Sequence, residues 1–409
     1  MRILIDQHFH LGHHFHYIAH LLPALLAQQD EVIVAVTPEG LRSSEFGEIL
    51  KPFAERVQFE PLLTAASPWL PLSERWRVHR ELRAAVKRTK PDYVLIPSGD
   101  AQTTAMSGYR GLGQGALPGR TPCEVGIHFG LGSAASTTPD HIRDTLNRIN
   151  LSMCGAERVH IVNLLFYETS REHPGTHRFS LMPHPVPSSP RQTMYESRQQ
   201  LGIPEDGRYI GIAGSLDSRK AIGELLAAFR AAELKATDRI LLAGWMNPTH
   251  QRMIDSSFRD LIEQRRLVIL NTFLSTNAYR AALSALDVVC TPYPAFRGLS
   301  STLLEGVAAG RPVLAHRCGW MEAIVDRFDL GWTCDVLDHT AFTHAIRVAL
   351  DRSAEYRETD AITRLLAFHS IENFAAIWTN GIRQHRGLAA SNILPWGWVE
   401  ESIQNPLNA

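Results

Sequence analysis

The sequence predicts an α/β protein built from two parallel-sheet domains in tandem, and three observations carry that prediction. Short β-branched runs alternate with longer helical patterns, the alternation halts at a proline-rich stretch, and it then restarts with the same rhythm. With 409 residues, 44% apolar and 20% charged, the chain is long enough for two separate cores and has the composition of an ordinary globular protein.

RILI (2–5) is the first strand, and Ile18, Leu21, Leu22, Leu25 and Leu26 set one apolar face of the helix that follows. Between them lies DQHFHLGHHFHYIAH (6–20), so its histidines sit at a strand-to-helix turn inside a folded domain rather than in an appended tag. EVIVAV (31–36), DYVLI (92–96), EVGIHF (124–129) and RVHIV (158–162) continue the first sheet. MPHPVPSSP (182–190), with its four prolines, stops both periodicities and reads as the interdomain linker. The second sheet takes RYIGIAG (208–214), RILLAG (239–244), LVILN (267–271), DVVCTPY (287–293) and PVLAH (312–316). A helix-rich tail ends in NILPWGWVEES, whose Trp396 and Trp398 suit packing against a domain surface. The expected domains are 1–184, 185–370 and a helical tail, 371–409, that packs back toward the first domain.

A net charge of −1 gives no general attraction to nucleic acid. The five cysteines are widely spaced and contain no C-x-x-C pair, as expected of thiols in a reducing, cytoplasmic compartment. No apolar run approaches the roughly 18 residues that span a bilayer. The helix ERWRVHRELRAAVKRTK (74–90) carries seven Lys/Arg against two Glu. It has two readings, a solvated face over a packed apolar stripe or peripheral contact with the inner face of an anionic membrane. The glycine-rich SGYRGLGQGALPG (107–119) fits no dinucleotide fingerprint and reads as a loop.

Two stretches carry chemistry. In FRGLSSTLLEGVAAGRPVLAHRCG (296–319), small polar residues precede a helix whose free N–H groups, near Leu299, Ser300, Ser301 and Thr302, can hold a diphosphate. Glu305, one turn inside, can accept hydrogen bonds from the vicinal hydroxyls of a ribose. In GIAGSLDSRKAIGELLAAF (211–229), strand, glycine turn and helix recur, with Arg219 and Lys220 placed to meet phosphate oxygens. The chain has only five lysines among 41 basic residues, and a compact ammonium suits a phosphate of which one oxygen is reachable.

Together these stretches resemble the nucleotide-sugar half of retaining GT-B glycosyltransferases of the family-4 type, the glycosyl transferases group 1. That pattern is a G-R-L-x-x-x-K-G turn followed by E-x7-E and A-x-G-x-P-V. Gly214, Leu216 and Lys220 match the turn, Ser215 replaces its arginine and Ala221 its last glycine; Glu305 matches the second glutamate, and Ala309, Gly310, Pro312 and Val313 follow in register. Arg297 stands where the first glutamate would contact the donor sugar, so it is expected to meet the diphosphate or a sugar carboxylate instead. The resemblance implies the GT-B fold, two Rossmann-like domains facing each other across a cleft, with Gly244 under the nucleotide and Thr272 to Leu274 at the base. PHPV (183–186) stands at the family's interdomain motif, and His128 at its cleft-facing catalytic histidine, with Asp100 beside the same cleft.

The implied activity is transfer of a sugar, with retention, from a UDP-, GDP- or ADP-sugar to the hydroxyl of a glycan, lipid or small-molecule acceptor. No cofactor and no metal are implied, and no D-x-D is present; Lys220, Arg219 and the helix N-terminus would stabilise the leaving diphosphate. Two alternatives stay open, a nucleotide-sugar isomerase or hydrolase and a non-catalytic nucleotide-sugar-binding protein of the same fold. The family's first turn is glycine-rich, which gives Gly12, His13 and His14 an acceptor-side role. His16 and His20 stand four residues apart, but no cysteine or paired carboxylate completes a metal set. His8 and His10 receive no role.

Overall fold

The computed structural model describes residues 1–9, 14–62, 72–128, 138–188 and 190–404. Two compact units form, one from Met1–Pro185 with Phe368–Trp396, the other from Val186–Ala367 with the chain from Gly397 onward.

The first unit holds a seven-stranded parallel sheet: β1 (Arg2–Gln7), β2 (Glu31–Val36), β3 (Val57–Pro61), β4 (Tyr93–Ile96), β5 (Cys123–Ile127), β6 (Arg158–Ile161) and β7 (Phe179–Leu181), in the order β3-β2-β1-β4-β5-β6-β7. Ile3 pairs in register with Val32 on one side and Tyr93 on the other. Because helices cover a parallel sheet on both faces, its central strands are continuously apolar, which is why RILI, EVIVAV and DYVLI were legible as runs. The helix His14–Ala27 buries Phe15, Ile18, Leu21, Leu22 and Leu25, as its spacing predicts.

The second unit holds a six-stranded parallel sheet: β8 (Tyr209–Ala213), β9 (Arg239–Ala243), β10 (Leu267–Leu270), β11 (Val288–Thr291), β12 (Val313–His316) and β13 (Gly331–Cys334), in the order β10-β9-β8-β11-β12-β13. Strand order reverses between β8 and β11, so the chain leaves these neighbours in opposite directions and opens a crevice at their C-terminal ends. Ile210, Ile212, Leu242, Val288, Cys290 and Leu314 pack into one core under the Ile222–Ala231 helix, which adds Leu225, Leu226 and Phe229.

Two expectations change, and a third is decided between its alternatives. The stretch 107–119 begins as the end of a helix, Thr103–Gly111, because Ala105 and Met106 are buried core residues; the loop starts only at Leu112. The tail expected over 371–409 divides. Helix Ile371–His385 belongs to the first unit and lies against helix His14–Ala27, with Trp378 fully buried, whereas the chain from Gly397 counts with the second unit, where Arg364 donates to the Trp398 carbonyl and stacks on its ring. In helix Leu72–Thr89, much of the basic charge of 74–90 is already engaged: Arg77 with Glu74 and Glu81, Arg88 with Glu60, and Arg83 with the carbonyls of Gly115 and Ala116. Val78, Leu82, Ala85 and Val86 are buried beneath it, which is the solvated-face reading. No helix among the described residues is long and apolar enough to cross a membrane.

Candidate functional site

In the second unit the candidate residues gather at the strand-order reversal. Gly214, directly after β8, has φ +92°, and its N–H donates to Ala243 O at 2.9 Å. Gly244, directly after β9, has φ +140°, and a Cβ built on it would stand 1.9 Å from Gly214 O. Only glycine permits the two turns to cross so closely. Their crossing leaves backbone, rather than side chains, at the crevice floor.

Lys220 is buried beside this floor. Its Nζ donates to Ala213 O at 2.8 Å and lies 5.6 Å from the centre of the Tyr293 ring. Burial pushes its amine down to about 7, only partly offset by Asp217, and Arg219 adds to the depression. Here is a compact cation whose charge is poorly met by the protein itself, the state that an incoming anion relieves. Arg219 is exposed and doubly bonded to Asp217, at 3.0 Å and 2.6 Å, so it must exchange that partner before it can meet a phosphate.

Helix Ser301–Ala308 follows β11 and starts at the same crevice. Ser300 is its N-cap, its Oγ accepting from Leu303 N at 3.2 Å, which leaves the N–H groups of Ser301 and Thr302 at the helix mouth. Leu299 is half-buried ahead of the cap. One turn in, the half-buried Glu305 has its carboxyl pushed up to about 7 by burial, against the pull of Arg280 and a hydrogen bond from Tyr279. The Tyr279 hydroxyl also lies 3.3 Å from Thr302 Oγ1, and the buried Tyr293 hydroxyl has no hydrogen-bond partner among the described residues. These two tyrosines were missed in the sequence. The only signal for Tyr293 was its place just past a strand end in TPYP, and Tyr279 gave none.

Thr272 and Leu274 lie in the turn after β10; Thr272 is exposed, its N–H bonded to Leu270 O, and Leu274 is half-buried. Ser215 is exposed, its Oγ 3.4 Å from the Asp217 carboxylate. Arg297 accepts Trp320 N–H on its carbonyl; burial lowers the His316 pKa and raises that of Cys318, and the Arg297 charge adds to the first shift and opposes the second, so it stands beside the start of helix Gly319–Phe328.

In the first unit the structure brings His128, Asp100 and His14 together. His128 N donates to Asp100 Oδ2 at 3.1 Å, and its Nε2 to Pro97 O at 2.7 Å; a carbonyl only accepts, so Nε2 carries the proton. The ring stacks on Tyr17 at 5.1 Å and meets His14 edge-on at 6.1 Å, while His14 Nδ1 bonds Ser98 Oγ at 2.9 Å. Tyr17 in turn bonds His184 Nδ1 at 2.6 Å, a partner hidden from sequence by a separation of 167 positions. Gly12, His13 and His10 lie outside the described residues. His8, which had no role, is buried against Asp6 at 3.0 Å; burial disfavours its charge, but Asp6 and Glu81 outweigh that and hold it near 9. His16 and His20 stack on each other, and burial, then the neighbouring ring, drives His20 down to about 4.

Residues 207–352 match the family model for glycosyl transferases group 1. No curated protein matches the chain in sequence. Among solved structures, sucrose-phosphate synthase from Thermosynechococcus elongatus is similar over 95% of this chain and 99% of its own, at 18% identity and a TM-score of 0.68. HepE of Anabaena, solved in complex with UDP, is similar over 94% and 99%, at 14% identity and 0.65. The lipopolysaccharide outer core galactosyltransferase WaaB, in its apo form, is similar over 94% and 100%, at 14% and 0.63. At these identities the shared property is the fold, that of GT-B glycosyltransferases.

Proposed function

We propose that this glycosyltransferase of GT-B fold moves a sugar from a nucleotide-sugar donor to an acceptor hydroxyl with retention of configuration, and that its own cations do the work a metal does elsewhere. The observation that carries the reading is the convergence, at the reversal of strand order in the second unit, of the crossed glycine turns, the buried Lys220 and the capped helix Ser301–Ala308. The N–H groups of Ser301 and Thr302 would hold the diphosphate, and Lys220 would neutralise the charge that grows on it as the sugar leaves. Arg219 would join once it is released from Asp217. Glu305 would hold the ribose hydroxyls, and the turn of Thr272 and Leu274 the base. Arg297 would answer a charged group on the donor.

UDP-sugars are the first donors to try, since HepE binds UDP and UDP-glucose. On the acceptor side, His128, fixed by Pro97 and Asp100, would position the attacking hydroxyl. The free thiols suit a reducing cytoplasm. Thermal-shift screening of UDP, GDP, ADP and their sugars, followed by mass spectrometry of products with EDTA present, tests the reading. Release of nucleotide without any acceptor would point to a hydrolase or isomerase, and tight binding without turnover across the panel to a binding protein. Changing Glu305 to glutamine is expected to weaken UDP binding about tenfold in calorimetry, since an amide presents one acceptor oxygen in place of two.

A further inference from the structure

Helix Thr138–Met153 carries large apolar side chains on its solvent side as well as toward the core. Its outward face carries Ile142 (57% exposed), Leu146 (61%), Ile149 (51%) and Met153 (49%). Its inward face is mixed: Leu151 is buried in the core of the first unit, Asp144 is buried as well, and Arg148 Nε donates to Ser170 Oγ at 3.1 Å. A surface helix ordinarily turns its apolar stripe to the core. Four large apolar side chains aligned on the opposite side are a patch that a partner covers.

The spacing and rim of the stripe select the partner. The residues follow one another at intervals of four, three and four, the a/d seam of a heptad, which fits the holes of a facing helix. An interfacial membrane helix needs a broad apolar arc edged by Lys and Arg. Here the edges are Arg143 and Asn150 on one side and Thr145 and Ser152 on the other, three of the four uncharged. We propose that this helix pairs with the same helix of a second copy of the chain, antiparallel across a twofold axis between Leu146 and Ile149. That register sets Ile142 over Met153 of the partner subunit and Leu146 over Ile149 of the partner subunit. Arg143 then meets Asn150 of the partner subunit and Thr145 meets Ser152 of the partner subunit, so no like charges oppose each other across either edge. A single helix pair is a small isologous contact, so the dimer is weak and depends on concentration.

Sedimentation velocity of the full chain from about 1 to 100 µM tests this, since a contact this small dissociates within that range. The wild type is expected to move from monomer toward dimer, and L146D to stay monomeric with an unchanged melting temperature, because Leu146 is exposed in the monomer. I149D is expected to do the same. A wild type that stays monomeric throughout would overturn the proposal, as would a dimer that persists in both variants. Flotation with phosphatidylcholine or phosphatidylglycerol vesicles that is lost in L146D would also overturn it, assigning the stripe to a lipid surface.

Discussion

Replacing Lys220 with methionine is expected to lower turnover about 10²–10³-fold, the scale seen when one preorganised donor to a developing anion is removed. Methionine keeps the unbranched volume beside Tyr293 and gives up only the charge and the bond to Ala213 O, so the fold should survive. Arginine should not rescue the activity, because a planar fork cannot occupy a slot built for a compact ammonium. The pH dependence has a definite sign. Burial sets the amine of the free protein near 7, and an anionic diphosphate binds the charged form, so binding takes up a proton above that pH. Nucleotide affinity should therefore hold below about pH 7 and fall by up to tenfold per unit above it. Lys220→Met should remove that slope, which calorimetry at two pH values would reveal.

Gly244→Ala is expected to be the most damaging change to the second unit. The added Cβ would lie 1.9 Å from Gly214 O, at a backbone φ of +140° that side chains rarely adopt. Neither turn can yield freely, since Gly244 N is bonded to Leu270 O and Gly214 N to Ala243 O, each at 2.9 Å. Strain and clash together should cost about 2–4 kcal/mol. The melting temperature should fall roughly 5–15 °C, with nucleotide binding lost alongside. Gly397→Ala, with nothing within 4 Å, is the control and should leave stability within about 0.5 kcal/mol.

The contrast between what was legible and what was not follows the range of the interactions. Central strands such as EVIVAV and RILLA, buried on both faces, announce themselves as apolar runs. The strands β3, β7 and β13 do not, because each is an outer strand of its sheet and is short, partly exposed or both. At the candidate site, Gly214, Lys220, Ser300 and Glu305 were readable because each belongs to a turn-and-helix pattern closed within a few residues. Tyr279, Tyr293 and Tyr17 were not, because their partners lie across the fold, as Tyr17 with His184 illustrates. The histidine-rich turn divides along the same line. His14 joins His128 through tertiary packing, whereas His8 pairs with Asp6 two positions away, a contact the sequence permitted but did not single out.

The crevice between β8 and β11 is expected to bind a nucleotide diphosphate through Lys220 and the helix mouth, with no metal. Calorimetric titration of the full chain with UDP, GDP and ADP in EDTA tests it most directly. One saturable site for at least one nucleotide, weakened at least about tenfold by Lys220→Met, is the expected result. Binding that needs a divalent ion, binding undiminished in Lys220→Met, or no binding of any nucleotide would contradict it.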